Sequence, residues 1–189
     1  MTSTPTPTAA PLGKLEPDQY TVSPKFNDPN AEITFLSSDN VAFKIFRSHL
    51  KVNSAGFSPP ENIDVTEAVL LPEASDVLEI LFSFIHLPGE HEQFRQPRLM
   101  DLEERLFFLV AEAAEKYIVS SLMNMCITLL SISYCNKYPF QSLNHCARHG
   151  YTTEADLAAY AALGVPLNGA TSKLTHFGVL TAYVRLLFL

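Results

Sequence analysis

The residues most suggestive of chemistry are His145-Cys146-x-x-His149, because positions i and i+4 on one helix can present two imidazoles to a single ion. Zinc takes three or four ligands with ordered partners behind them, and no Cys-x-x-Cys accompanies this pair. The segment is therefore read as a helix face with Cys146 turned inward, and neither a metal nor another cofactor is expected. Nucleophilic catalysis finds no support, since no Gly-x-Ser-x-Gly turn is present to expose a serine. The seven glycines are scattered and form no phosphate-cradling loop. Glu103, Glu104, Glu112 and Glu115 are carboxylates on the outward face of a helix whose inner face is Leu and Ala, so they read as solvated charge rather than an acid–base pair. Phe107-Phe108 and Met123/Met125 read as core. No enzymatic activity is expected.

Charge and composition narrow the classes further. Twenty acidic side chains against 13 Lys+Arg give a formal charge of −7, and from Lys51 to Arg95 eight acids occur with no Lys or Arg between them. Such a field repels phosphate backbones, so nucleic acid is an unexpected partner. Cys126, Cys135 and Cys146 are an odd number inside helical patterns, and no Asn-x-Ser/Thr acceptor occurs. This usage fits a reducing compartment. The opening Met1-Thr2-Ser3-Thr4-Pro5 has neither a basic nor an apolar signal region, so an intracellular protein is expected, nuclear or cytoplasmic. No apolar run approaches the ~20 residues that span a bilayer, and no membrane association is expected. The 189 residues leave room for one ordinary domain with tails, and one main core is expected.

The elements that would carry these residues follow from periodicity. Six of the 13 prolines fall in the first 30 residues, so 1–28 is expected to be a disordered Pro/Thr-rich tail. Ile33 and Phe35, then Val41, Phe43 and Ile45, alternate with more polar neighbours around Ser37-Ser38-Asp39-Asn40; this is a hairpin with Asp39-Asn40 at its tip. A helical turn through His49, Leu50 and Val52 follows, then a buried strand at Val69-Leu70-Leu71.

Asp76, with Glu79 three residues on, predicts a capped helix that is apolar nearly all round through Ile85. Asp101 and Glu104 repeat the pattern before a helix with Leu102, Leu106, Leu109, Val110, Ala113 and Tyr117 at helical spacing. Ser120 or Ser121 opens the next, to about Leu130. Helices over about Pro139–His149 and Thr153–Leu163 are stopped by Gly150 and Gly164. The fold class is α+β: a small sheet, made of a hairpin at about 31–46 and a strand at 68–71, packed against an array of helices. The end of the chain, Val179 to Leu189, is apolar to the last residue and must pack across the helices, be covered by a partner, or continue into a polar end absent here.

Several separated blocks carry a family resemblance. Ala31-Glu32-Ile33-Thr34-Phe35-Leu36, then Phe43-Lys44-Ile45-Phe46-Arg47-Ser48-His49-Leu50, with Ser54 and Phe57 beyond, resemble the opening of a BTB/POZ domain. Leu71-Pro72-Glu73 with Val77–Phe84 is similar to that family's strand and central helix. Leu109–Tyr117 with Val119 and Leu122 is similar to its later helical hairpin. Ala113-Ala114-Glu115-Lys116-Tyr117 and Ala147-Arg148-His149-Gly150-Tyr151 look most like the version common in mushroom-forming fungi. Phe46 stands where the family has His, and the segment after Phe57 is shorter than in animal members.

The resemblance implies a BTB/POZ-like domain over 29–132, a helical extension over 133–166 and an apolar segment over 167–189. It implies a non-enzymatic interaction module that homodimerises through its first strand and first helix or pairs with other BTB proteins. By the same resemblance Glu32 and Arg47 are the candidate dimer-pocket pair, with Phe46, His49 and Leu50 as interface candidates. A desolvated carboxylate–guanidinium pair loses about 3–5 kcal/mol when one partner is deleted, whereas an exposed pair is worth about 0–1 kcal/mol, and both readings stand for Glu32 and Arg47. In some family members the domain docks on a cullin-type ubiquitin ligase scaffold. The alternative implied function is such an adaptor, with Glu79, Phe82, Ser83 and His86 as docking candidates.

Overall fold

A computed structural model describes residues 20–57, 68–86, 95–165, 174, 175, 178–181 and 183. The fold is α+β: a four-stranded mixed sheet and seven helices among the described residues. In chain order the elements are β1 (Thr21–Val22), β2 (Ile33–Leu36), β3 (Val41–Ile45), α1 (Arg47–Asn53), β4 (Ala68–Leu70), α2 (Ser75–Ile85), α3 (Glu104–Tyr117), α4 (Ser120–Leu129), α5 (Cys135–Lys137), α6 (Pro139–His149) and α7 (Thr152–Ala162). A 3-10 turn (Leu99–Asp101) precedes α3, and a π-helical turn (Leu130–Tyr134) joins α4 to α5. None of the described helices is long and apolar enough to cross a membrane.

Contacts divide the chain into two compact units rather than the single core expected from its length. The first holds the described residues up to Arg98 with Leu109–Leu122; the second holds Leu99–Phe108 with the described residues from Met123 onward. Helices α3 and α4 contribute to both.

In the first unit the strand order is β1-β3-β2-β4. The hairpin alternation is realised: β2 and β3 are antiparallel, with Ile33 opposite Ile45 and Phe35 opposite Phe43, so one set of apolar side chains shares the buried face. Residues 37–40 close the hairpin. Asn40 takes φ 62°, the left-handed conformation that Asn tolerates, while the Ser37 hydroxyl accepts from Val41 N–H. At the centre of the core lies Phe82 of α2, with ring centroids of Phe26, Phe35, Phe43 and Phe57 all within 6.0 Å.

Three expectations are corrected here. The segment 20–28 is not a solvated tail: β1 pairs in parallel with β3, and Phe26 is buried against Phe43 and Phe82, because one large aromatic outweighs a proline-rich context. Residues 1–19 lie outside the described residues. The strand at 68–70 is an edge strand paired only with β2, which leaves Leu70 41% exposed while Ala68 and Leu71 are buried. Asp76 does not cap α2; that role falls to Asp39 of the hairpin, which accepts from the Ser75 N–H at 2.9 Å and the Ser75 hydroxyl at 2.6 Å, while Asp76 accepts from Val77 N–H.

The second unit is helical. Phe107 stacks on Tyr134 with centroids 3.9 Å apart, Phe108 packs edge-on against the same ring, and Tyr138 lies tilted to it at 5.5 Å. On α3, whose residues from Leu109 on belong to the first unit, the buried stripe falls on Phe107, Val110, Ala111, Ala113, Ala114 and Tyr117, whereas Leu109, expected inside, is exposed. Gly150 at φ 79° ends α6 as its sequence position predicts. Of the three accounts of the apolar end, packing holds for Tyr183: it is buried, its ring meets Phe140 edge-on, and its hydroxyl is within reach of the Ala162 and Val165 carbonyls at 3.2 Å each.

Candidate functional site

Helix α1 is the element around which the candidate residues gather. Its N-terminal N–H groups need acceptors, and Phe46, the residue that enters the helix, has no side chain to offer one. The Glu32 carboxylate supplies it, accepting from the Arg47 backbone N–H at 3.0 Å. An acid leading β2 thus neutralises the positive end of a helix that begins fifteen residues later, which is where a carboxylate is electrostatically favoured. This bond runs to the main-chain N–H of Arg47.

Phe46, His49 and His86 form an aromatic group beside this end. The His49 ring lies 4.4 Å from that of His86 and 5.3 Å from that of Phe46, both edge-on. His86 also meets Phe26 at 6.1 Å. His49 Nδ1 is shielded from solvent and has no hydrogen-bond partner. Burial holds the His49 imidazole below its ordinary value; neighbouring His86 pushes the same way and Glu32 opposes. Asn53 ties the far end of α1 to α2, its amide donating to the Ile85 carbonyl at 2.7 Å.

The candidates therefore regroup. His86, expected in the docking set on α2, belongs with His49 and Phe46. Leu50 is fully buried, so it anchors α1 to the core and presents nothing to a partner. Phe82 is the hub of the aromatic core, and Ser83 is buried with its hydroxyl donating to the Glu79 carbonyl and accepting from the Lys25 ammonium at 2.7 Å. Neither can form a docking surface, because an almost uniformly apolar helix buries nearly its whole circumference. Of the docking candidates on α2 only Glu79 is exposed, with His86 half-buried at the helix end.

Two residues at this site escape the sequence reading. Lys25 was hidden in the stretch read as a tail. Val52 is 74% exposed on α1, beside exposed Ser48 and Lys51, although its residue type predicts burial. In the second unit, His145 is buried, Cys146 is fully buried, and the His145 and His149 rings lie 4.7 Å apart.

The α1 group thus sets out a short helix with an exposed Val52, a capping carboxylate and a guanidinium-bearing residue at its start, and two imidazole rings in edge-on contact. A scan against protein-family models and a search of curated proteins found no match to this chain.

Proposed function

We propose that this chain is a non-enzymatic protein–protein interaction module that homodimerises through α1 and its surroundings, in the manner of a BTB/POZ domain. The observation that carries this reading is the exposed face of α1. Val52 stands almost free on a seven-residue helix whose N-terminus holds Glu32 and Arg47 together. A β-branched side chain at that exposure gains by desolvation against an apolar partner surface. The order of a hairpin, a short helix, a further strand and a buried helix agrees with the blocks of sequence that resemble the family. The scaffold-docking alternative has lost Phe82 and Ser83 to the core, so self-association is favoured.

Sedimentation equilibrium of the full chain over a micromolar concentration series tests the proposal, with Val52→Asp and Arg47→Glu in parallel. A dimer that both substitutions weaken, with unchanged circular dichroism, is expected. A wild-type chain that stays monomeric at the highest concentration overturns it, and a dimer indifferent to both substitutions overturns the placement on α1.

A further inference from the structure

Helix α1 is seated on the end of α2 by two imidazoles from distant parts of the chain. His49 comes from the middle of α1, and His86 is the residue on which α2 ends, its N–H donating to the Phe82 carbonyl at 2.8 Å. The rings meet edge-on with centroids 4.4 Å apart, and both side chains are half-buried. Phe46 lies 5.3 Å from His49 and Phe26 lies 6.1 Å from His86, so apolar rings replace part of the water around the pair. A charged imidazole donates from both nitrogens, yet His49 Nδ1 is shielded from solvent and has no hydrogen-bond partner. The seat is otherwise held by Asn53, whose amide donates to the Ile85 carbonyl at 2.7 Å and to the His49 carbonyl at 3.3 Å.

We propose that His49 and His86 are a proton-operated latch on the dimerisation surface: uncharged, the two rings seat α1 against the end of α2, and protonation in mildly acidic solution drives them apart, undocks α1 and separates the dimer. The inference rests on the reading of α1 as the surface through which the chain self-associates.

Protonating both rings sets two cations against each other at contact distance, where like charges disfavour one another most. The charges around the pair decide how far this is offset. Glu32, ahead of β2, favours a charged His49, but its carboxylate is engaged with the Arg47 N–H at 3.0 Å. Arg47 and Lys51 add positive charge on α1 itself. Beyond β1, the Lys25 ammonium donates to the Ser83 hydroxyl of α2, and Glu79 of α2 is its acidic neighbour. Lys44 of β3 points to the other side of the sheet from Phe43 and Ile45. In the docked form, burial and His86 already hold the His49 imidazole below its ordinary value. Undocking lifts both effects, so the undocked form takes up its protons first as pH falls, and acid favours it.

Sedimentation equilibrium of the full chain at pH 7.5 and pH 5.5 tests the latch. Amide exchange over 47–53, read by mass in the same buffers and corrected for the intrinsic effect of pH on exchange, follows α1 directly. The dimer is expected to weaken by about tenfold or more at pH 5.5, since each proton bound only on undocking contributes about tenfold per pH unit. Protection over 47–53 should fall while that over 33–45 holds. In His86→Gln and in His49→Gln, each of which removes one of the two charges and keeps a polar side chain, the ratio of the dissociation constants at the two pH values should drop toward one. A chain that is monomeric at both pH values overturns the dimer reading and its control together, whereas a dimer equally tight at both overturns the latch alone. Unchanged protection over 47–53, or a loss that spreads through the whole first unit, also overturns the latch, as does a pH ratio that survives in both variants. Should the variants fail to fold, the wild-type exchange pattern decides.

Discussion

The Tyr117 hydroxyl donates to the Glu73 carboxylate at 2.6 Å, and the neighbouring Lys116 ammonium donates to the other oxygen of the same group at 2.7 Å. One carboxylate between β4 and α2 thereby fixes the end of α3. The Tyr117 ring lies flat on Phe57 with centroids 4.2 Å apart, and its carbonyl accepts from both the Ser54 hydroxyl and the Gly56 N–H. Burial, with the Glu73 carboxylate facing it, pushes the Tyr117 phenol far above its ordinary value. Tyr117→Phe keeps the stacked ring and removes only the donor, so it should cost about 1.5–3 kcal/mol, the range for a hydrogen bond to a charged group. Urea denaturation measures this. In a cycle with Glu73→Gln the two losses should not add, because the second removes a partner already gone.

Gly56 is set against the same residue. A Cβ placed there would come within 2.5 Å of the Tyr117 carbonyl carbon, a main-chain atom that cannot swing aside. Gly56→Ala should therefore destabilise the first unit by about 1–3 kcal/mol, the usual cost of forcing extra volume into a packed site. Gly150→Ala meets no atom within 4 Å yet must hold φ 79°, so it isolates the cost of a left-handed alanine at about 1–2 kcal/mol. A loss under about 1 kcal/mol for Gly56→Ala in urea melts would refute the steric account.

How far these arrangements were legible depends on whether a local rule or a distant partner decides them. The hairpin, the apolar helix ending at Ile85 and the Gly150 stop were legible, because alternation, a helical period and a left-handed cap each act within a few residues. Phe26 was not, since its burial is settled by Phe43 and Phe82 rather than by the prolines around it. The α2 cap was missed for a similar reason: Asp76 satisfies the local pattern, yet Asp39 reaches the helix end across 36 residues. At the candidate site the Glu32 carboxylate reaches the start of α1, while Leu50, Phe82 and Ser83 turn into the core. Resemblance marks which positions matter, and an apolar run such as 77–85 does not say which of its faces remains outside.

The Asp39 cap gives a direct contrast. Asp39→Ala removes both bonds to Ser75 and should cost about 0.5–2 kcal/mol, whereas Asp76→Ala loses only a bond to the next N–H and should cost less. Burial tends to raise the Asp39 carboxyl, but the hydrogen bonds it accepts from Ser37, from the Ser75 hydroxyl and N–H and from its own N–H together hold it below its ordinary value. Chemical denaturation of the two variants side by side orders them; Asp76→Ala as the more damaging change would return the cap to Asp76.

His49 sets the acid limit of the α1 group. Its folded-state value lies below the 6.5 of an unperturbed imidazole, so the unfolded chain takes up its proton first as pH falls. The His49 contribution to stability is therefore whole above pH 6.5 and is lost as pH drops from there to the folded-state value, below which it levels off. Protonation would set a cation beside His86, and Glu32 is the group that favours it. His49→Gln removes the titration while keeping a polar side chain, and the wild-type-minus-variant stability difference should fall between pH 7 and pH 5. A flat difference across this interval, measured by urea melts at each pH, would show that the His49 proton is taken up equally by the folded and unfolded chains.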